Sequence, residues 1–273
     1  MKIAENRYGK SRVRVARVVR HKDRHEFHEM TVAIQLEGDF DTSYSEGDNS
    51  KVLPTDTMKN TVYAFAARPE AEQPESFALL LARHFVSTQP QVDRASIEIQ
   101  GHPWHRQGRF SFTGGGKQSR IARVSTRRTG EETVEAGIAG YLLLKTTGSA
   151  FEGFVRDPYT TLPETSDRIF STSLDAAWRY RGDDISWDTS WHAVMKLLTE
   201  TFAAHESKSV QHTLYAMGEA VLAECEHISR IHLTMPNKHY LPVDLRPFGL
   251  TNANEVFVPT DEPHGLIEAI LEQ

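Results

Sequence analysis

Cysteine is almost absent from this chain of 273 residues, because Cys225 is the only one. A single thiol excludes an intrachain disulfide and is typical of a protein that folds in a reducing compartment. Long apolar runs are missing as well, since no segment approaches the roughly 18 uninterrupted apolar residues that a membrane helix needs. We therefore expect a soluble globular protein and no membrane partner.

An excess of positive charge is also missing. The chain has 31 Lys and Arg residues against 37 Asp and Glu residues, which gives a formal net charge of −6. Phosphate backbones attract basic surfaces, so nucleic acid is not an expected partner. Neither residues 1–6 nor residues 271–273 resemble a secretory signal or a peroxisomal Ser-Lys-Leu address, which favours a cytoplasmic location.

Common motifs for metal, phosphate and nucleophilic chemistry are not found. His21, His25 and His28 lie close together, but no His-Glu-x-x-His or clustered cysteine pattern accompanies them, so solvated histidines are favoured over a zinc site. Residues 114–118 contain three glycines and a lysine but lack the Ser or Thr that follows the lysine of a phosphate loop. The sequence therefore predicts no metal and no other cofactor.

Hydrophobic periodicity predicts a β-β-α-α-β-β order in the first half of the chain. Strand patterns cover residues 12–20, 31–38, 92–100 and 120–125. A helix is predicted from about Asp56. A second helix is predicted from Pro74, because proline is favoured at the first position of a helix.

The second half repeats this order. Strand patterns cover residues 137–147, 168–180, 228–235 and about 255–258, and a helix capped by Asp188 precedes a second helix that carries Val210 and Leu214. Residues 58–64 also align with residues 210–216, where Thr, Tyr and Ala coincide. Both observations favour an internal duplication. Each unit would leave two free sheet edges, which are covered most simply if units join into an oligomeric barrel.

Several ordered segments together resemble urate oxidase over nearly the whole chain, from Tyr8-Gly9-Lys10 to Gly265-Leu266-Ile267. They include residues 47–50, 55–61, 145–154, 156–162, 167–169, 209–211, 235–239 and 254–257. The resemblance implies an α+β fold of two tandem tunnelling-fold (T-fold) units, one over residues 1–132 and one over residues 133–273. Each would have an antiparallel sheet with helices on one face.

The resemblance also implies a function and an assembly. Urate would be oxidised by O2 and water to 5-hydroxyisourate and hydrogen peroxide without a cofactor. The enzyme would be a homotetramer with active sites at dimer interfaces.

The site residues implied by the resemblance fall into three overlapping groups. Lys10, Thr55 and His239 would be catalytic, and Thr55 and Asn237 would hold O2 or water. Urate would contact Thr55, Asp56, Phe151, Arg168, Val210, Gln211, Asn237 and Ile267. One subunit would supply Lys10, Thr55 and Asp56, and its neighbour would supply the others.

The residue types suit a flat anion with alternating donors and acceptors. Phe151 can stack on its face, Arg168 can pair with its charge, and the Gln211 amide offers both a donor and an acceptor. Simpler explanations exist for single residues, such as a helix cap at Thr55-Asp56 or a turn at Asn237.

Two departures from the family pattern concern subunit contacts, namely a short segment at residues 108–112 and a chain that ends soon after Ile267. The alternative functions are another T-fold enzyme acting on purines or pterins and a non-catalytic purine-binding homologue.

Overall fold

The computed structural model describes residues 2–182 and 184–273. The chain consists of two compact units, each with many contacts among its own residues. The first comprises the residues up to Ile138 together with Arg179–Thr189, and the second comprises Ala139–Trp178 and Ser190–Gln273. No helix among the described residues is long and apolar enough to cross a membrane.

The first half of the chain forms six strands and three helices. They are β1 (Tyr8–Arg20), β2 (His25–Gly38), α1 (Asp41–Ser45), α2 (Thr55–Phe65), α3 (Pro74–Thr88), β3 (Val92–His102), β4 (Trp104–Arg106), β5 (Phe112–Gly114) and β6 (Ser119–Arg127). The second half contains β7 (Glu132–Lys145), β8 (Phe170–Tyr180), α4 (Trp187–Ala204), α5 (Val210–Glu224), β9 (Ile228–Pro242) and β10 (Phe257–Glu272).

The first unit is an antiparallel sheet in the order β1-β2-β3-β6 with helices packed on it. Helix α3 packs against β3 and β6, whereas α2 packs against β1. Phe77, Leu81 and Phe85 of α3 are fully buried with Ile34 and Ile99 of the strands. Each such side chain contributes about 1.5–3 kcal/mol by leaving water, so this face holds the unit together.

The second unit has the strand order β7-β8-β9-β10, and α5 packs against β9 and β10. Its core includes Trp178 and Leu198, and the rings of Phe170 and Phe202 lie 5.0 Å apart. Both units therefore have the predicted β-β-α-α-β-β order. The short helix α1 and the β4–β5 hairpin are additions that the sequence patterns did not predict.

The predicted cap of α4 was wrong. The helix begins at Trp187, so Asp188 lies inside its first turn. The Asp188 carboxylate accepts a hydrogen bond of 2.7 Å from Nη1 of Arg120 instead. An acidic residue is favourable near a helix N-terminus whether or not it caps the helix, so the composition alone does not distinguish these positions.

Two strands are much longer than predicted. β9 continues to Pro242 and β10 runs to Glu272, although the patterns ended at about residues 235 and 258. Pro236, Pro259 and Pro263 disguise these strands, because proline is disfavoured inside a sheet and tolerated mainly at its edges. The strand predicted at residues 168–180 begins two residues later, at Phe170.

The residue-level alignment of the two halves was also wrong. Residues 58–64 lie on α2, the first long helix of its unit, whereas residues 210–216 lie on α5, the second long helix of its unit. The packing shows that α3 corresponds to α5, since each covers the last two strands of its unit. The duplication is visible in the order of elements, and the three shared residues are a coincidence.

Candidate active site

Lys10 lies on β1, and Tyr8 ties this strand to the segment that leads into α2. The Leu53 N–H donates to the Tyr8 hydroxyl at 2.8 Å, and the hydroxyl donates to the Leu53 carbonyl at 3.2 Å. The Tyr8 ring meets Phe40 edge-on at 4.7 Å, and burial raises the pKa of Tyr8. Tyr8 therefore fixes the start of α2 beside the strand that carries Lys10.

The backbone around Lys10 is irregular. A Cβ on Gly9 would lie 1.8 Å from the Ile34 carbonyl oxygen, so only glycine allows β1 and β2 to approach this closely. The pairing register shifts between Lys10 and Val13, and Arg12 has a φ of +59°. Such bulges are common beside active sites because they redirect a side chain.

Thr55 and Asp56 open α2 and are not its cap. Pro54 occupies the cap position and offers no side-chain acceptor, and the first N–H that bonds back is that of Met58, to Pro54 at 3.3 Å. The N–H groups of Thr55 and Asp56 therefore have no acceptor within the helix. The simpler alternative, that these two residues only cap the helix, does not fit this geometry.

The Asp56 side chain is already occupied. It accepts from Lys59 and, at 3.0 Å, from Asn60. The hydrogen bond and charge of Lys59 lower the pKa of Asp56, and the charge of Lys10 contributes to the same effect. The ammonium of Lys10 thus acts on the start of α2.

Lys10 and Thr55 are partly buried and unpaired. Within residues 2–182 and 184–273, neither the Lys10 ammonium nor the Thr55 hydroxyl makes a hydrogen bond. Lys10 and Thr55 therefore offer an ammonium and a hydroxyl group that the other described residues do not occupy.

In the second unit, Phe151 and Arg168 lie together. Phe151 is fixed by a pair of backbone hydrogen bonds with Thr165, of 2.8 and 3.1 Å. Its ring stacks on Phe154 with centroids 4.8 Å apart and an interplanar angle of 12°. The guanidinium carbon of Arg168 lies 5.3 Å from the centroid of the Phe151 ring.

The charge of Arg168 has no counter-ion in the described part of the chain. Its guanidinium is partly buried and makes neither an ion pair nor a hydrogen bond there. Burial lowers the pKa of Arg168, because the cation has lost water without gaining an anion. Such a group favours the binding of an anion, such as a carboxylate, a phosphate or a planar heterocyclic anion.

A short parallel bridge connects this arginine to the start of α5. Ser149 pairs with Ser207, and the Arg168 N–H donates to the Ser149 carbonyl at 2.8 Å. Ser209 caps α5 by accepting the N–H of His212 at 3.1 Å.

The first turn of α5 carries two of the expected urate contacts. Val210 is buried and Gln211 is exposed. Like those of α2, their N–H groups precede the first intrahelical bonds and lack an acceptor within the helix. The Gln211 amide makes no hydrogen bond with the described residues.

Asn237 and His239 project from the same face of β9, two residues apart. They lie inside the strand, so the predicted strand end and the turn at Asn237 were wrong. Asn237 pairs with Gly265 and His239 with Thr260 of β10, and the register shifts between these two pairs. Ile267 lies beside Gly265, since a Cβ on that glycine would be 3.6 Å from the Ile267 Cδ1 atom.

The expected site residues thus form two sets, one in each unit. The first set contains Lys10, Thr55 and Asp56. The second contains Phe151, Arg168, Val210, Gln211, Asn237, His239 and Ile267. The patterns overlooked Tyr8, which stands in the quoted segment Tyr8-Gly9-Lys10, and Asp167, which precedes Arg168.

The uricase family model matches this chain twice, over residues 6–133 and 134–268. The chain belongs to the uricase family. Uricases from Arthrobacter globiformis and Arabidopsis thaliana are both 41% identical to it, over 272 and 292 residues. These matches cover 99% and 98% of this chain and 90% and 94% of the relatives.

A crystal structure of the Arthrobacter globiformis uricase is similar to this chain with a TM-score of 0.94 and 40% identity, and the match covers 100% of this chain and 95% of that one. The resemblance stated from the sequence is therefore confirmed. The two consecutive matches to the uricase family model agree with the duplicated element order, and the fold is that of two tandem T-fold units.

Proposed function

We propose that this chain is a urate oxidase of purine degradation, which converts urate, O2 and water into 5-hydroxyisourate and hydrogen peroxide. Membership of the uricase family supports the reaction. The observation that carries the proposal is Arg168, a partly buried cation that lies against Phe151 and has no counter-ion in the described part of the chain. A flat purine anion satisfies both groups.

The contacts to urate follow from the chemistry of each group. Arg168 makes charge-assisted hydrogen bonds to the anionic edge, and Phe151 stacks on the ring with a contribution of about 0.5–1.5 kcal/mol beyond its buried area. Gln211 uses its amide as both donor and acceptor. The free N–H groups at Asp56 and Val210 bind ring acceptors, and Ile267 contributes apolar contact.

The oxidation needs no resident cofactor because urate is itself the reductant. The Thr55 hydroxyl takes a proton from the urate anion while it passes its own proton to Lys10, which acts in its neutral amine form, and the deprotonated urate becomes electron-rich. Two electrons then pass from urate to O2, which takes up two protons and leaves as hydrogen peroxide. Asn237 and Thr55 hold O2 and then the attacking water above the ring, and His239 supports the relay.

The assembly follows from the division of the site. The first unit offers a proton-transfer pair and the second offers an anion clamp, so we propose that the two sets meet across a dimer interface within a homotetramer. Apolar side chains on β10 support pairing at this edge, since Val258, Leu266 and Ile270 are 50%, 64% and 48% exposed. We propose a domain boundary between residues 132 and 133. We also propose that the enzyme is cytoplasmic, which the single cysteine supports.

The reaction is tested by adding urate to the protein in air-saturated buffer with EDTA. We expect the loss of urate absorbance to be matched by the formation of hydrogen peroxide in equal amount. An inactive protein would contradict the proposal. Activity that disappears with the chelator and returns with one metal ion would contradict the cofactor-free reaction.

The shared site is tested by mixing two impaired variants, Lys10→Met and Arg168→Ala, under conditions that exchange subunits, and by assaying them at urate concentrations well below the raised KM of Arg168→Ala. Random mixing gives about a quarter of the sites an intact set from each chain, because the sites are related by symmetry and each combines two subunits. We therefore expect recovery of about a quarter of the wild-type activity. No recovery despite proven exchange would show that each site lies within one chain.

A further inference from the structure

Asp167 and Arg168 are neighbours with opposite charges, yet they do not pair. The Asp167 carboxylate instead accepts the Thr147 hydroxyl at 2.6 Å and the Ser149 N–H at 3.2 Å. These bonds, together with the N–H groups of Gly148 and Arg168, hold the pKa of Asp167 below its usual range, and the Thr147 bond is the largest cause.

The residues around this carboxylate form a closed turn. Gly148 has a φ of +72°, a conformation that side chains rarely adopt, and this lets residues 147–149 wrap around Asp167. Ser149 is 2% exposed, and it also bonds to the residue that follows Asp167, because its carbonyl accepts the Arg168 N–H at 2.8 Å. Ser149 therefore bonds both to the Asp167 carboxylate and to the backbone of Arg168.

The anion clamp consists of Arg168, Phe151 and the start of α5 at Val210. The same turn also fixes Phe151 and Val210. The Ala150 N–H donates to the Ser207 carbonyl at 2.7 Å, and the Ser207 N–H donates to the Gly148 carbonyl at 2.9 Å. Phe151 follows Ala150 directly, and Val210 follows Ser207 by three residues. Loosening the turn would displace the aromatic ring, the guanidinium and the start of α5 together.

We propose that Asp167 is a positioning residue for the substrate anion. Its carboxylate organises residues 147–149 and is kept away from the Arg168 guanidinium, so that this cation remains free for a purine anion. The proposal rests on the proposed function, which supplies the anion.

Electrostatics supports the separation of the two charges. Burial lowers the pKa of Arg168, and no carboxylate among residues 2–182 and 184–273 opposes this effect. The hydrogen bonds that the Asp167 carboxylate accepts all hold it in the turn. They lower the free energy of the ionised carboxylate in that position. A freed carboxylate would compete with the substrate for the same guanidinium.

The test compares Asp167→Asn with Asp244→Asn. Asp244 is a suitable control because it is an exposed carboxylate that also accepts N–H donors, from Arg246 at 2.8 and 3.1 Å, and its substitution removes the same charge. We expect Asp167→Asn to raise both KM for urate and Kd for xanthine roughly 10-fold or more, which is typical for the loss of a charged hydrogen-bonding group. We expect kcat to change less, and Asp244→Asn to resemble the wild type.

Thr147→Val provides a second variant that keeps the carboxylate. It removes one donor, so we expect a smaller rise in both constants, and the double variant should be little worse than Asp167→Asn alone. It also keeps the proposal testable if Asp167→Asn does not fold.

The proposal is overturned if Asp167→Asn folds and lowers only the melting temperature, with KM and the xanthine Kd unchanged. It is also overturned if Thr147→Val leaves both constants unchanged when Asp167→Asn cannot be purified. A wild-type protein that binds xanthine but does not oxidise urate contradicts the proposed function alone, because xanthine binding by the variants still tests the clamp. A wild-type protein that binds neither purine overturns both.

Discussion

The expected site residues of each unit form one half-site, with Lys10 and Thr55 in the first and Arg168 in the second. The two half-sites are held in place in different ways. In the first unit, one side chain, Tyr8, fixes the start of α2 beside β1, and neither Lys10 of β1 nor Thr55 of α2 makes a hydrogen bond with another described residue. In the second, Asp167 and the Ser149–Ser207 bridge hold Arg168 through a network of backbone contacts. Under the proposed function, Arg168, which recognises the substrate anion, is held by a fixed backbone, whereas Lys10, which moves a proton, keeps a flexible stem.

The half-sites also use different parts of the duplicated unit. The helix that contributes to the first half-site is α2, the first long helix of its unit, whereas the second half-site uses α5, the second long helix of its unit. Of these two helices, α5 has a side-chain cap, which Ser209 provides, and α2 has none. The duplicated units are therefore similar scaffolds, and the proposed site uses helices that are not equivalent in them.

The largest effect is expected in the first half-site. Lys10→Met removes the proton acceptor, so we expect kcat to fall by about 10²–10⁴-fold, the usual contribution of a general acid–base group. Xanthine binding, measured by calorimetry, should stay near the wild-type value because the clamp is intact. Methionine keeps an apolar stem similar to that of lysine, which limits the change in packing.

A structural role for Lys10 gives the opposite pattern. Stability would fall while kcat per folded enzyme stayed close to the wild type. Thr55→Ala distinguishes the two cases further, because it should resemble Lys10→Met if both residues belong to one relay. The double variant Lys10→Met/Thr55→Ala should then be little worse than either single variant, because each substitution already breaks the relay.

Arg168→Ala tests the second half-site and should mainly raise KM. A hydrogen bond to a charged group is worth about 1.5–3 kcal/mol, which corresponds to roughly 10–150-fold in affinity. Arg246→Ala is the control, because Arg246 is exposed and already paired with Asp244 at 2.8 Å. Equal losses in kcat and kcat/KM, with KM unchanged, would place Arg168 in the chemical step and remove the distinction between the two half-sites.

The sequence predicted the buried elements better than the exposed ones. Pro74 and the apolar stripe of α3, including Phe77 and Phe85, appear as expected because burial imposes a clear helical period. Strand β10 was mostly overlooked because it is largely exposed in the described chain and contains Pro259 and Pro263, so neither alternation nor propensity marks it.

The resemblance to the family supplied the identities of the expected site residues, but it did not supply the contacts that hold them in place. Arg168 and Lys10 follow from the resemblance to the family. Adjacent Asp167 and Arg168 would suggest a neutral pair, and only the fold shows that the carboxylate bonds to residues some 20 positions earlier. The Tyr8–Leu53 contact similarly joins residues 45 positions apart, a separation that no local period reports.

Tyr8→Phe should have a moderate effect on the first half-site. The substitution leaves the Leu53 N–H and carbonyl without their partner, so we expect a loss of about 1 kcal/mol in the free energy of unfolding. Displacement of the start of α2 should lower kcat more than it raises KM. Urea denaturation and steady-state kinetics measure the two effects.

Tyr44→Phe is the matched control for this variant. The Tyr44 hydroxyl also donates to a backbone carbonyl, that of Arg7 at 3.3 Å, but its side chain is exposed. It should change neither kcat nor stability appreciably. Equal behaviour of the two variants would show that Tyr8 does not position the relay.

The smallest effect is expected from the protonation of His205, which lies beside the second half-site. Its Nδ1 atom is 3.1 Å from the Thr213 hydroxyl, and its carbonyl accepts from Lys145. Burial lowers the pKa of His205, the charges of His212 and Lys145 lower it further, and Glu206 opposes them.

Because the folded pKa of His205 lies below the unfolded value of about 6.5, the unfolded chain takes up a proton first as the pH falls. The stabilisation is therefore present above about pH 6.5 and is lost as the pH falls through the folded pKa. His205→Gln cannot take up this proton, so the free energy of unfolding should decline less between about pH 7.5 and pH 5 than in the wild type. His105→Gln, at an exposed histidine of the β4–β5 hairpin, is the control and should follow the wild-type curve. Parallel curves for wild type and His205→Gln would show that acid does not act on the second half-site through this residue.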